Sequence, residues 1–170
     1  MPTPSTFDPN SPEVQKAIRR LNSRFLMNIF FLTKLPSAAF MGLRVAACNH
    51  LQASISLPFS WRSKNPFQSI YFAAQCAAAE ISTGLLAQIA LQRPEKISML
   101  VVKFEAEFLK KADSMATFTC SDGAAVIAAV EKAVASGEGQ TIAMTSIGTM
   151  KNGEIVSKMI VTWSFKKKKI

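Results

Sequence analysis

One segment narrows the possible architectures more than any other. NPFQSIYFAAQCAAAEISTGLLAQIAL, residues Asn65–Leu91, is almost continuously apolar and holds a single carboxylate, Glu80, near its middle. From Ile70 to Leu91 the run is long enough to span a bilayer. A carboxylate at the centre of a span costs about 2.5–3.5 kcal/mol, while each Leu, Ile or Phe recovers only about 0.3–0.6 kcal/mol. This run is mostly Ala, with Ser, Thr, Gln and Gly mixed in, so the cost is not offset. The expected form is a helix over residues 66–91, buried on nearly all sides inside a globular domain.

The flanking sequence supplies the cover. ASISLPF alternates, placing Ala53, Ile55, Leu57 and Phe59 on one face of a strand. MLVVKFEAEFLKK alternates too, with Leu100, Val102, Phe104, Ala106 and Phe108 expected inward and Lys103, Glu105 and Glu107 outward. MATFTC reads as a short strand and GAAVIAAVEKAVAS as an Ala-rich helix ended by Gly137. Two further strands are joined by Asn152-Gly153, a strong hairpin signal, with Ile155, Met159, Val161, Trp163 and Phe165 expected on one face.

Ahead of these lies SPEVQKAIRRLNSRFLMNIFFLTKLP. Ser11 can cap, Pro12 suits the first helical position, and Val14, Ile18, Leu21, Phe25, Ile29 and Leu32 form a stripe with Lys16, Arg19, Arg20 and Arg24 on other faces. One amphipathic helix is expected over residues 12–35. It packs either on the core or a partner subunit, or against a membrane surface. Residues 1–11, rich in Pro, Ser and Thr, are expected to form a flexible tail, and residues 12–170 a single domain.

Runs of consecutive strands favour an antiparallel sheet, and an apolar helix needs a surface that covers it nearly all round. A curved sheet wrapped around a central helix meets both demands. The fold class is α+β.

Charge and cysteine usage bound the function. The formal charge is +9, of which residues 1–64 carry +6, which favours anionic partners. No base-reading or stacking motif accompanies it, so no specific nucleic-acid partner is expected. Cys48, Cys76 and Cys120 lie far apart, and no basic-then-apolar leader opens the sequence; a reducing cytoplasm is expected. One histidine, His50, and scattered cysteines give no metal site, and no cofactor-binding loop is present.

The segment Asn65–Gly84 resembles the central-helix motif of hotdog-fold thioesterases of the phenylacetate-pathway and hydroxybenzoyl-CoA group. There an Asn precedes a His-Gly-Gly turn and an acid follows in the helix. Asn65 falls on the Asn, Tyr71-Phe72-Ala73 stand where His-Gly-Gly would be, and Glu80 falls on the acid. The stretch from Thr33 to Ala74 is similar to an uncharacterised thioesterase-like branch carrying a Leu-Pro pair and a strand ending before Asn-Pro.

The resemblance implies a hotdog fold and hydrolysis of an acyl-CoA or acyl-carrier thioester in a homodimer or a dimer of dimers. It implies Glu80 as general base or nucleophile, and amides at the helix N-terminus, near Phe72 and Ala73, as substrate-binding oxyanion donors. Asn65 either orients water or caps the helix; Tyr71 either donates its hydroxyl to a carbonyl or packs. Phosphates of a coenzyme would meet Arg62, Lys64 or the Lys166–Lys169 run. A non-catalytic acyl-ligand binder is the alternative, since Tyr-Phe-Ala removes the glycines that let a thioester approach the backbone.

Overall fold

The computed structural model describes residues 6–168. Its elements in chain order are α1 (Pro12–Asn22), α2 (Arg24–Lys34), α3 (Pro36–Met41), β1 (Arg44–Cys48), β2 (Ala53–Leu57), α4 (Phe72–Ala90), β3 (Ile97–Phe108), β4 (Ala116–Cys120), α5 (Gly123–Ser136), β5 (Gln140–Met150) and β6 (Ile155–Lys167). Six strands form one antiparallel sheet in the order β1-β2-β4-β5-β6-β3. The sheet curves around α4, which packs on β2, β4, β5 and β6 and against α5. This is the hotdog arrangement.

Ala74, Ala78, Ala79, Leu85, Leu86, Ile89 and Ala90 of α4 are buried against Ile55, Leu57, Phe118, Met144, Met159, Val161 and Phe165 of the sheet. The small residues let backbone and sheet approach closely, and the large ones contribute roughly 1.5–3 kcal/mol each on burial. Three polar pairs cross the same interface. Ser157 Oγ donates to Gln75 Oε1 at 3.0 Å, the Ser82 and Ser146 hydroxyls bond each other at 2.8 Å, and Trp163 Nε1 donates to Thr83 Oγ1 at 2.9 Å.

Several expectations require correction. The central helix starts at Phe72, not at 66, because residues 60–70 are used in tight turns: Lys64 bridges Ile70, and Gln68 adopts φ +57°. The N-terminal helix of 12–35 is two helices. Ser23 ends α1 by donating its N–H to Arg20 O and begins α2 by accepting from Leu26 N. The break lets the Asn22 side chain pair with the edge strand β1, accepting from Cys48 N at 3.0 Å and donating to Cys48 O at 2.7 Å. It also resets the helix phase, so Met27 and Phe31 face the core while Phe25, Ile29 and Leu32 face outward.

In β3 the register slips between Val101 and Lys103, and this bulge reverses the expected alternation on its N-terminal side, while Lys103, Phe104 and Glu105 keep the expected faces. Leu100 and Val102 are exposed at 66% and 51%, whereas Met99, Val101 and Phe104 pack on the core. A second irregularity, opposite Gly148 and Thr149, makes Val156 the extra residue, turning it inward and Ile155 outward, while Ser157 keeps the phase of Met159 and faces inward, where Gln75 meets it. Of the expected tail, residues 1–5 lie outside the described residues. Phe7 is not loose: its N–H donates to Glu131 Oε1 at 2.8 Å and its ring lies beside His50. β2, β4, α5 and the Asn152-Gly153 hairpin fall where the sequence places them. Among the described residues no helix is long and apolar enough to cross a membrane.

Candidate functional site

The turn before α4 is organised by Asn65. Its Oδ1 accepts from Phe67 N, Ser69 N and Ser69 Oγ at 3.0, 3.2 and 3.1 Å, and its own N–H donates to Ser69 O. Asn65 therefore closes a turn and does not cap α4; the cap position belongs to Tyr71, which makes no side-chain cap bond. Tyr71 N donates to Ser63 O at 2.7 Å, which fixes where the helix begins. Phe72 and Ala73, the first two helical residues, have N–H groups without an acceptor among the described residues. Helix N-terminal amides of this kind carry partial positive charge and suit an oxyanion.

Asn65, Tyr71 and Phe72 line a cavity of about 550 Å³ together with Lys64, Gln75, Phe108, Lys110 and Lys111. The Phe72 ring meets Tyr71 and Phe108 edge-to-face at 4.8 and 6.2 Å. Lys110 pairs with Glu154, and that hydrogen bond holds the Glu154 carboxyl below its ordinary value. Lys111 has no ion-pair partner among the described residues. Of the expected phosphate ligands, only Lys64 reaches this cavity. The terminal lysines adjoin Ile97, at the opposite end of β3 from Phe108 and about 36 Å away at strand rise; Lys169 lies outside the described residues.

Glu80 and Ala73 do not line this cavity. They belong to a neighbouring strip: Phe72, Ala73, Cys76, Ala77 and Glu80 recur at helical spacing, and they alone keep exposure in the first half of α4. Every other residue there is buried. The Glu80 carboxylate has no hydrogen-bond or ion-pair partner among the described residues, and burial pushes its pKa up from the ordinary value. One turn on, Gly84 leaves a gap bounded by Trp163: a Cβ there would stand 3.4 Å from the indole and 3.8 Å from Glu80 Oε1. The carboxylate thus leans toward the C-terminal end of α4. About 10–12 Å of helix rise separates it from the free amides of its own chain, seven and eight residues back along the helix.

The thiols are poor nucleophiles here. Burial pushes Cys48 and Cys120 up to about 12 and raises Cys76, which shares the strip with Glu80. Ser82 and Thr83 are engaged with Ser146 and Trp163. Gln75, Phe108, Lys110 and Lys111 escaped the sequence reading. Gln75 had a signal, being the one amide in the apolar first half of α4; Lys110-Lys111 reads only as a strand end until the fold brings it beside Lys64. A second cavity, about 420 Å³, lies between α1, α2 and Gln88 and Gln92 near the other end of α4, and none of the expected site residues lines it.

A six-stranded antiparallel sheet curved around a central helix defines a hotdog-fold protein. The chain belongs to the DUF4442 family, a domain of unknown function whose model matches residues 23–165. No curated protein matches significantly. Among solved structures, a Pseudomonas aeruginosa protein described as a probable thioesterase is 17% identical, with TM-score 0.73 over 86% of this chain and 97% of that one. A Haemophilus influenzae thioesterase is 13% identical, with TM-score 0.61 over 85% and 91%. A Staphylococcus aureus thioesterase, 14% identical with TM-score 0.56 over 76% and 97%, has been solved with a Gln-to-Ala substitution. It has also been solved with a Glu-to-Ala substitution fifteen residues further on.

Proposed function

We propose that this protein is a thioesterase hydrolysing acyl esters of coenzyme A or of an acyl carrier. The observation that carries this reading is the pairing of two unsatisfied features on α4: free amides at its start and an unpaired, half-buried carboxylate on its open face. The amides polarise the thioester carbonyl and hold the developing oxyanion. Glu80, its pKa raised by burial, removes a proton from water or attacks the carbonyl directly. Lys64 and Lys111 are placed to meet the carrier's phosphates. Asn65 keeps its Nδ2 group as a donor in the cavity, and Tyr71 adds a hydroxyl. Asn65 and Glu80 are fifteen residues apart, the spacing of the two substituted positions in the staphylococcal thioesterase.

The separation within one chain supports a site shared between two chains. A carbonyl oxygen within about 3 Å of the Phe72 and Ala73 amides is out of reach of a carboxylate about 10–12 Å away along the helix. A homodimer solves this by presenting the Glu80 strip of one chain to the amides of the other. The uncovered edge strand β3 and the exposed rings of Phe72 and Phe108 offer the surface for it, and a dimer of dimers extends the same logic.

The test is free-thiol release from short, long and aromatic acyl-CoA esters by the wild type and by Glu80→Gln. Turnover that falls at least about a hundredfold in the variant, roughly 2.7 kcal/mol of transition-state stabilisation, is expected. One observation favours a second reading, a non-catalytic acyl-ligand binder: Phe72 and Ala73 occupy the place of the two glycines, and the Phe72 side chain, 53% exposed, adds bulk where the helix begins. An absence of thiol release combined with a melting temperature raised by the same esters would establish that reading instead.

A further inference from the structure

We propose that the outer face of α2 docks on the surface of an anionic lipid bilayer. The core takes only one side of this helix, through Met27 and Phe31. On the opposite side Phe25, Ile29 and Leu32 follow at i, i+4 and i+7 and are 72%, 45% and 67% exposed, with Leu26 beside them. A single exposed apolar residue is ordinary, whereas a ridge about 10 Å long on one helix face marks a contact surface. Farther along the chain Phe40 of α3 and Trp61 stand exposed and stack edge-to-face at 5.8 Å. Indole and phenyl rings of this kind suit the headgroup boundary.

Charge decides the occupant. Between Val14 and Ala79 the chain has eight Lys and Arg residues and no Asp or Glu. Arg19 and Arg20 of α1 and Arg24 at the start of α2 are all exposed, and no ion pair engages them among the described residues. A two-fold contact between copies through this face would set arginines against arginines, and Glu13 of α1, which lines a cavity with Arg20, offsets only part of that charge. An anionic bilayer reverses that sign: the ridge enters the boundary between headgroups and acyl chains, and the arginines meet the headgroups. Docking is independent of the chemistry at Glu80.

Sedimentation of the full chain with phosphatidylcholine vesicles, with and without phosphatidylserine, tests this. At low salt the wild type should partition at least about tenfold more strongly into the phosphatidylserine vesicles, and added salt should erase most of the preference. Phe25→Ser/Ile29→Ser/Leu32→Ser should lose about tenfold of that partitioning at an unchanged melting temperature. Arg20→Gln/Arg24→Gln, which keeps the ridge, should lose the lipid preference. Wild-type protein that ignores phosphatidylserine, or serine and glutamine variants that bind as the wild type does, would overturn the proposal. So would a serine variant whose only change is a smaller assembly in sedimentation equilibrium, because the face would then lie between copies.

Discussion

Glu80 makes pH a direct probe of the site. Its carboxyl is raised in the folded chain, so between the ordinary value of 4.5 and the raised one the folded state binds the proton more tightly than the unfolded state. Stability from this group is therefore present at low pH and is lost as pH rises through that window. Glu80→Gln should match the wild type in melting temperature near pH 4 and exceed it increasingly above, as thermal melts across pH will show. Asn65 separates in another way. Asn65→Ala removes an oxygen with three donors and should cost about 2 kcal/mol in denaturant unfolding, whereas Asn65→Asp keeps the oxygen and should retain most of that stability. If Nδ2 serves the substrate, Asn65→Asp loses turnover all the same. Glu80 was legible in the sequence because a lone acid in an apolar run demands a reason. The turn role of Asn65 was not, because the preference that makes Asn a helix cap also makes it a turn former.

At the scale of elements, legibility followed regularity. β2 and β4 keep strict alternation, and their buried faces are those the sequence pattern marks. β3 does not: one extra residue near Val102 exchanges the faces of everything on one side of it, which no two-residue period can announce. The break at Ser23 hid for a similar reason, since Ser is tolerated within a helix as well as at its caps. The α4 start offers a clean dissection. Phe72 is the first helical residue and Tyr71 before it is extended at φ −60° and ψ 134°, so proline fits at 72 without disturbing the helix. Phe72→Pro should lose about a hundredfold in turnover relative to Phe72→Ala, the difference being one N–H, as steady-state thiol release will measure. At the start of α5 the constraint is steric: a Cβ on Gly123 would fall 2.1 Å from His50 O, a backbone atom. Gly123→Ala should cost about 3 kcal/mol or more in chemical denaturation.

At the scale of the whole molecule, the proposed division of the site between two chains predicts complementation. Glu80→Gln and Phe72→Pro, each inactive alone, should regain about a quarter of wild-type turnover when refolded together, because half of the dimers are mixed and each has one intact site. The order of elements from β2 onward and the curved sheet around one helix were readable from the chain, since both follow from patterns of burial. The meeting of Lys64 with Lys110-Lys111 was not, because it depends on a turn and a strand end more than forty residues apart. One feature of the interior ties these scales together. α4 is apolar almost all round, and burial alone would hold such a cylinder in the sheet at many rotations with similar energy. Gln75 with Ser157, Ser82 with Ser146 and Thr83 with Trp163 are satisfied at only one of them. These pairs act as a combination lock: they add specificity more than energy, and the setting they select turns Glu80, rather than another wall of alanine, toward the opening.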